Sequence, residues 1–181
     1  MSKYLLENQE SNRLLYRKVK PEDYKLWLPF YKNPASNKYW SGSPENPKEA
    51  CDQQFHNIFE RYTKGMGGMN ALIHKKDNTF IGMCGLLTQT VDGIKELEIG
   101  YSILPKFWLN GYAYEAASKC KQYAFGHKLS SSLISIIHVD NIPSQKVALK
   151  NGMYLDKTTS YKENPVHIYS CLLYTSDAAD E

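Results

Sequence analysis

Glu96 and Glu98 lie one residue apart in the segment Lys95 to Ile103, KELEIGYSI. On an extended strand, residues two apart share a face. The pair and Gly100 therefore fall on one surface, and Leu97, Ile99 and Tyr101 on the other. A carboxylate whose pKa is raised by burial is suited to act as a general base. The same alternation also describes an ordinary solvated strand face, and both readings stand at this point. A second group of interest follows at once: Trp108, Leu109, Asn110, Gly111, Tyr112 and Ala113 carry the chain from that strand into a helix. A helix start offers unpaired N–H groups and the positive end of a dipole. Gly111 has no side chain, so an anion such as a diphosphate can come close to the backbone. Asn141 and Ser144 form a third group, ahead of a short helix. Ser144 reads as part of the helix N-cap region.

Other reactive types form no constellation. His138 ends an apolar strand near Asn141 and reads as a structural, hydrogen-bonded imidazole rather than a base. His56, His74, His127 and His167 are scattered. Cys51, Cys84, Cys120 and Cys171 show no CxxC pair, so neither a metal site nor a disulfide framework is expected. Cys120 reads as packed core. A net charge of +3 is too mild for a dense nucleic-acid-binding stripe, although it suits an anionic ligand. No apolar run reaches the roughly 18 residues of a membrane span, and the amino terminus lacks a signal-peptide pattern. A reducing, cytoplasmic setting is expected.

The elements that must position these groups follow from periodicity. Arg13–Val19 reads as a strand, and Pro21-Glu22-Asp23 opens a helix with acids in its first turn. Tyr24, Trp27, Leu28 and Tyr31 form its apolar face, and Pro29 is expected to bend or end it. Residues 33–47, with Pro34, Pro44 and Pro47, read as a loop carrying Tyr39 and Trp40. A helix over 48–62, closed by glycines, precedes three strands, over 70–75, 79–89 and 95–103. Turn signals at Asp77-Asn78 and Asp92-Gly93 separate them. A helix over 111–127, an apolar strand over 132–139, a helix over 143–151 ended by Gly152 and a closing strand pair (153–161 and 166–170) complete the chain. Strands followed by a βαβα crossover imply an α/β (α+β) domain with a mixed, twisted sheet of six to seven strands flanked by helices. At 181 residues, one domain is expected.

Trp108 to Ala116 reads W-L-N-G-Y-A-Y-E-A. This resembles the acyl-CoA loop of the GNAT superfamily of N-acetyltransferases, Gln/Arg-x-x-Gly-x-Gly/Ala, and in particular the W-G-K-G-Y-A-T-E-A form of its ribosomal-protein alanine acetyltransferase (RimJ/RimL-like) branch. Asn141 to Met153 is similar to the family's N-x-x-S-x-x-V-x-x-K-x-G-F. Arg13-Leu14-Leu15-Tyr16-Arg17 with Pro21-Glu22-Asp23 is similar to its opening strand and helix start. The ordered set spans roughly residues 12 to 170.

The resemblance implies acetyl-CoA as co-substrate, no metal, and transfer of acetyl to a primary amine by direct attack in a ternary complex. It places the pantetheine arm against the main chain of Ile103 and Leu104, and the diphosphate on the amides from Leu109 to Ala113, next to Trp108. Asn141 would hydrogen-bond the pantetheine or orient the thioester. Ser144 would protonate the departing thiolate, and Glu98 would be the base, through a water. Many members carry a Tyr seven residues after the Asn; here that position is Ala148, which leaves the acid role on Ser144. Tyr39, Trp40 and Glu96 are expected to line the acceptor pocket. A protein amino terminus or a small amine would be the acceptor, with no nucleic acid or membrane partner and a monomeric or homodimeric state. The alternative is a catalytically silent acyl-CoA-binding regulatory module, which the Ala148 departure favours. A Rossmann reading would need G-x-G-x-x-G after the first strand, and none is present.

The ending CLLYTSDAADE resembles a reading frame of a transposase mosaic-end adapter used in sequencing libraries. The domain is therefore expected to span residues 1–170, with 171–181 as a non-native tail.

Overall fold

The computed structural model of the chain describes residues 2–173. One mixed sheet of eight strands runs through it, in the order β1-β2-β3-β4-β5-β6-β8-β7. The strands are β1 (Gln9–Glu10), β2 (Leu14–Lys18), β3 (Gly67–His74), β4 (Phe80–Val91), β5 (Ile94–Ile103), β6 (Ser132–His138), β7 (Tyr154–Tyr161) and β8 (Asn164–Leu172). The helices are α1 (Tyr24–Lys32), α2 (Pro34–Asn37), α3 (Pro47–Lys64), α4 (Tyr112–Gly126) and α5 (Ile142–Lys150). Every neighbouring pair of strands is antiparallel except β5 and β6, which are parallel.

The expected architecture holds, with one strand more than anticipated. The extra element is β1, two residues hydrogen-bonded to the edge of β2 and too short to carry a pattern of its own. Pro29 does not end its helix: α1 continues to Lys32, and Pro29 lends its carbonyl to Asn33. The rings of Trp27 and Phe30, on either side of the proline in sequence, stack with 4.3 Å between centroids. The loop over 33–47 contains the one-turn α2, capped by the Asn33 side chain. Asn46 caps α3 and Gly65 closes it in the left-handed conformation.

Two layers cover the sheet. Leu97, Ile99, Ile103, Leu133 and Ile137 pack on one face against Ala116, Ala117, Cys120 and Ala124 of α4 and Ala148 of α5. The alanines let these helices lie close to the strands. On the opposite face Trp27, Cys51, Phe55 and Ile58 from α1 and α3 cover Met69, Ala71 and Met83. That cover stops short of β6 and β8. There Ile134, Ile136, Val166 and Ile168 form a smaller cluster of their own with Tyr161.

Strand β8 continues through Cys171, opposite Leu133, to Leu172 opposite Ser132. The expected boundary at residue 170 thus falls inside a strand, where a small apolar side chain fits the buried position opposite Leu133. The rest of the segment read as adapter, from residue 174 on, lies outside the described residues. Among the described residues no helix is long and apolar enough to cross a membrane, and no group of three or more His, Cys, Asp or Glu side chains is placed to hold a metal ion.

Candidate active site

The parallel pair β5–β6 is where the sheet opens. Its register is a single position, Glu98 opposite Ile134. Beyond it, side chains bridge the widening gap: the Ser135 hydroxyl donates to the Ile99 carbonyl at 2.9 Å, and the Ile136 N–H donates to the Glu98 carboxylate at 3.3 Å. Two strands that start together and diverge leave a slot with main-chain groups along its walls.

At the end of β5 the chain makes a short 3-10 turn over Pro105–Phe107. The Trp108 indole donates to the Ile103 carbonyl at 2.8 Å and closes the turn back on the strand. Leu109 (φ 65°) and Gly111 (φ 80°) then take left-handed backbone conformations on either side of Asn110. Leu109 is fully exposed, so its conformation is not compensated by burial of its side chain. A branched residue in this region costs about 1–2 kcal/mol, and strain of this kind gathers where a loop has a ligand to meet. The Asn110 amide holds the turn from inside by donating to the carbonyls of Phe107 and Trp108, 3.0 Å each. Among the described residues, no main-chain N–H from Leu109 through Tyr114 donates to a protein acceptor. Six consecutive amides at the start of a fifteen-residue helix are thus left for an anion. A groove of about 640 Å³ runs from Gly111 along the exposed side of α4, past Tyr114, Ser118, Lys119 and Lys150.

The slot's main chain is less available than the sequence suggests. The Ile103 carbonyl is taken by Trp108, the Leu104 N–H donates to Ile81 and the Leu104 carbonyl accepts from Phe107. These bonds follow from the 3-10 turn, which spacing alone does not reveal.

On the α4/α5 side of the slot, Asn141 is the N-cap of α5, and its side-chain oxygen accepts from the Ser144 N–H at 3.2 Å. The Ser144 hydroxyl is not part of that cap. It donates to the Tyr101 hydroxyl at 3.2 Å, and Tyr101 in turn donates to the Ser144 carbonyl at 2.8 Å. Burial raises the Tyr101 pKa, so this phenol stays protonated. Ala148 is buried in the core beneath. Tyr101 was legible only as an inward residue of a strand.

On the other side Glu98 is half-buried. Burial pushes its carboxyl above the ordinary 4.5, while hydrogen bonds from Gln89 and the Ile136 N–H oppose the shift. Gln89 Nε2 donates to it at 3.0 Å. The amide is turned that way because its oxygen accepts from Arg61 and from Tyr161, each at 3.0 Å. Burial also raises Glu96, against the pull of Lys157. Gly100, next on that face, leaves room beside Glu98; a Cβ there would stand 3.0 Å from the Leu87 side chain.

Tyr39 and Trp40 flank the His138 ring, at centroid distances of 5.8 and 6.4 Å. Their loop is tied to the β7–β8 hairpin: Ser41 donates through its N–H and its hydroxyl to the buried Asn164 side chain, 2.9 Å each. His138 Nδ1 accepts from the Asp140 N–H, as expected of a structural imidazole. Sequence reasoning missed Gln89, Arg61, Tyr161, Asn164 and Tyr101. They lie on five separate elements or turns and share no local motif.

Residues 13–154 match the model of the acetyltransferase (GNAT) domain. The chain belongs to the GNAT acetyltransferase family. Its members are acetyl-CoA-dependent N-acetyltransferases, and this chain is one. It is 30% identical over 140 residues to the protein YkkB of Bacillus subtilis (strain 168), covering 77% of this chain and 80% of that one. Its fold is similar to that of an acetyltransferase from Agrobacterium tumefaciens str. C58, with a TM-score of 0.77, 21% identity and coverage of 91% and 94% of the two chains. It is also similar to RimL, a ribosomal L7/L12 alpha-N-protein acetyltransferase solved in complex with coenzyme A, with a TM-score of 0.70, 16% identity and coverage of 92% and 97%.

Proposed function

We propose that the enzyme moves acetyl from acetyl-CoA to the primary amine of a protein amino terminus or a small molecule, by direct attack in a ternary complex. The observation that carries this reading is the run of amides from Leu109 to Tyr114 that find no acceptor among the described residues, set beside the parallel, single-register opening of the sheet between β5 and β6. Acetyl-CoA combines an anionic diphosphate with a long neutral arm. The turn fits the first by charge and by its exposed N–H groups, and the slot between β5 and β6 fits the second. The Asn141 side-chain amide has its oxygen committed to the cap and its NH₂ left to orient the thioester end.

The two faces then divide the proton work. The acceptor enters on the face of Glu98, between the α3 layer and the strap of Tyr39 and Trp40, with Glu96 at its rim. An amine attacks only when neutral, and Glu98 removes its proton through a water. Its raised pKa brings it closer to that task than an ordinary carboxylate. The nitrogen bonds to the thioester carbon, the C–S bond breaks, and the Ser144 hydroxyl on the other face supplies a proton to the thiolate. In the resting site the Tyr101 oxygen accepts from the Ser144 hydroxyl, and solvent returns the proton that Ser144 gives up.

The test is thiol release from acetyl-CoA in the presence of small primary amines in one set of assays and amino-terminal peptides in another. Amine-dependent release with intersecting initial-rate plots is expected. Parallel plots would replace direct attack with an acetyl-enzyme. Tight CoA binding without release to any amine would leave a coenzyme-binding module, the outcome that Ala148 would explain.

A further inference from the structure

The opening strand and the diphosphate turn are about a hundred residues apart in sequence, yet the structure joins them through one side chain. Arg13, just ahead of β2, donates from Nε to Glu115 Oε1 at 2.7 Å and from Nη1 to the Asn110 carbonyl at 2.9 Å. Its guanidinium lies over the Tyr112 ring, 4.3 Å from the centroid. Glu115 is held in turn by the Arg13 N–H at 2.8 Å and the Ser11 hydroxyl at 2.6 Å. Burial alone would raise the Glu115 pKa, but these hydrogen bonds and the Arg13 charge outweigh it and leave it lowered. The contacts thus favour the charged carboxylate.

From these contacts we propose that Arg13 is a positioning residue for the coenzyme, holding the strained Leu109–Gly111 turn in the shape that presents its amides to the diphosphate. The proposal rests on the coenzyme reading above. The turn has a left-handed, fully exposed leucine, an exposed asparagine and a left-handed glycine, so no buried apolar side chain anchors it. It needs an outside anchor, and the Asn110 carbonyl is the handle. Glu115 fixes the guanidinium plane so that Nη1 meets that carbonyl, and Tyr112 stacks beneath. Because Glu115 largely neutralises Arg13, the contribution is geometric rather than a matter of net charge. A lysine cannot bridge the carboxylate and the carbonyl with two donors at a fixed angle.

Equilibrium binding of CoA, and of pantetheine by competition, separates the possibilities for wild type, Arg13→Ala, Arg13→Lys and Glu115→Gln, with thermal melts confirming that each is folded. Both Arg13 variants are expected to bind CoA about tenfold more weakly, the scale of re-ordering a short segment on binding. Glu115→Gln should fall between them and wild type. Pantetheine, which lacks the diphosphate, should be affected in none. Wild-type affinity in Arg13→Ala would overturn the proposal. Full recovery in Arg13→Lys would also overturn it, because charge would then suffice, as would an equal loss with pantetheine. Failure of the wild-type protein to bind CoA would instead strike the coenzyme reading itself. If Arg13→Ala does not fold, the lysine variant carries the test alone.

Discussion

The two sides of the β5–β6 opening are built from different materials. The side proposed for the coenzyme uses main chain: six amides in one short stretch, a helix dipole and a glycine, with side chains holding the backbone in place. On the side proposed for the acceptor the candidate parts are side chains, Glu98 with Gln89, Arg61 and Tyr161 behind it, and Tyr39 and Trp40 tied down through Ser41 and Asn164. A backbone site recognises what every acetyl-CoA molecule carries and tolerates wide change in sequence around it. A side-chain site can be rebuilt residue by residue for another amine. Damage should therefore separate cleanly into coenzyme binding or amine handling.

The sharpest break is expected at Glu98. Glu98→Gln keeps the shape and loses the base, so kcat should fall by about 10²-fold, within the range for general base catalysis, with CoA affinity unchanged. The sign of the pH effect is fixed by the raised pKa. The base is protonated and idle in acid, so kcat/KM rises with pH through a limb lying above the ordinary 4.5. The glutamine variant should lack that limb in its pH–rate profile.

Gly111→Ala probes the other side. At φ 80° a side chain costs about 1–2 kcal/mol, and the added methyl group also crowds the diphosphate. CoA binding by calorimetry should weaken about tenfold while the acceptor KM holds. A rise in acceptor KM alone would reverse the assignment of the two sides.

Trp40→Ala should raise the acceptor KM several-fold, the scale of one aromatic contact, and leave CoA affinity alone. An unchanged acceptor KM would remove the strap from the acceptor pocket.

The smallest effect concerns stability. Glu115 has a lowered pKa, so its contribution is present above the ordinary 4.5 and is lost as pH falls through the lower folded value. Melting curves of wild type and Glu115→Gln should converge in that acid window, and a difference that persists undiminished there would remove the ion pair as its source.

Much of this was legible in the sequence, for a physical reason. Strand and helix periodicities, the glycines that close α3, the shared face of Glu96 and Glu98, and the helix start at Gly111 all depend on residues within a few positions of one another. Local sterics and hydrogen bonding decide such features before the chain is folded. Pro29 shows the limit of that kind of reading, since α1 continues past it to Lys32. The partners of Glu98, the link from Ser144 to Tyr101, the tie from Ser41 to Asn164 and the clamp from Arg13 to Asn110 join residues 38 to 123 apart, or 9 in the case of Gln89. Those distances are set by how the sheet twists and how the helices seat on it. Side-chain chemistry alone named the candidate groups; only the packed sheet decided which of them meet, and with which proton.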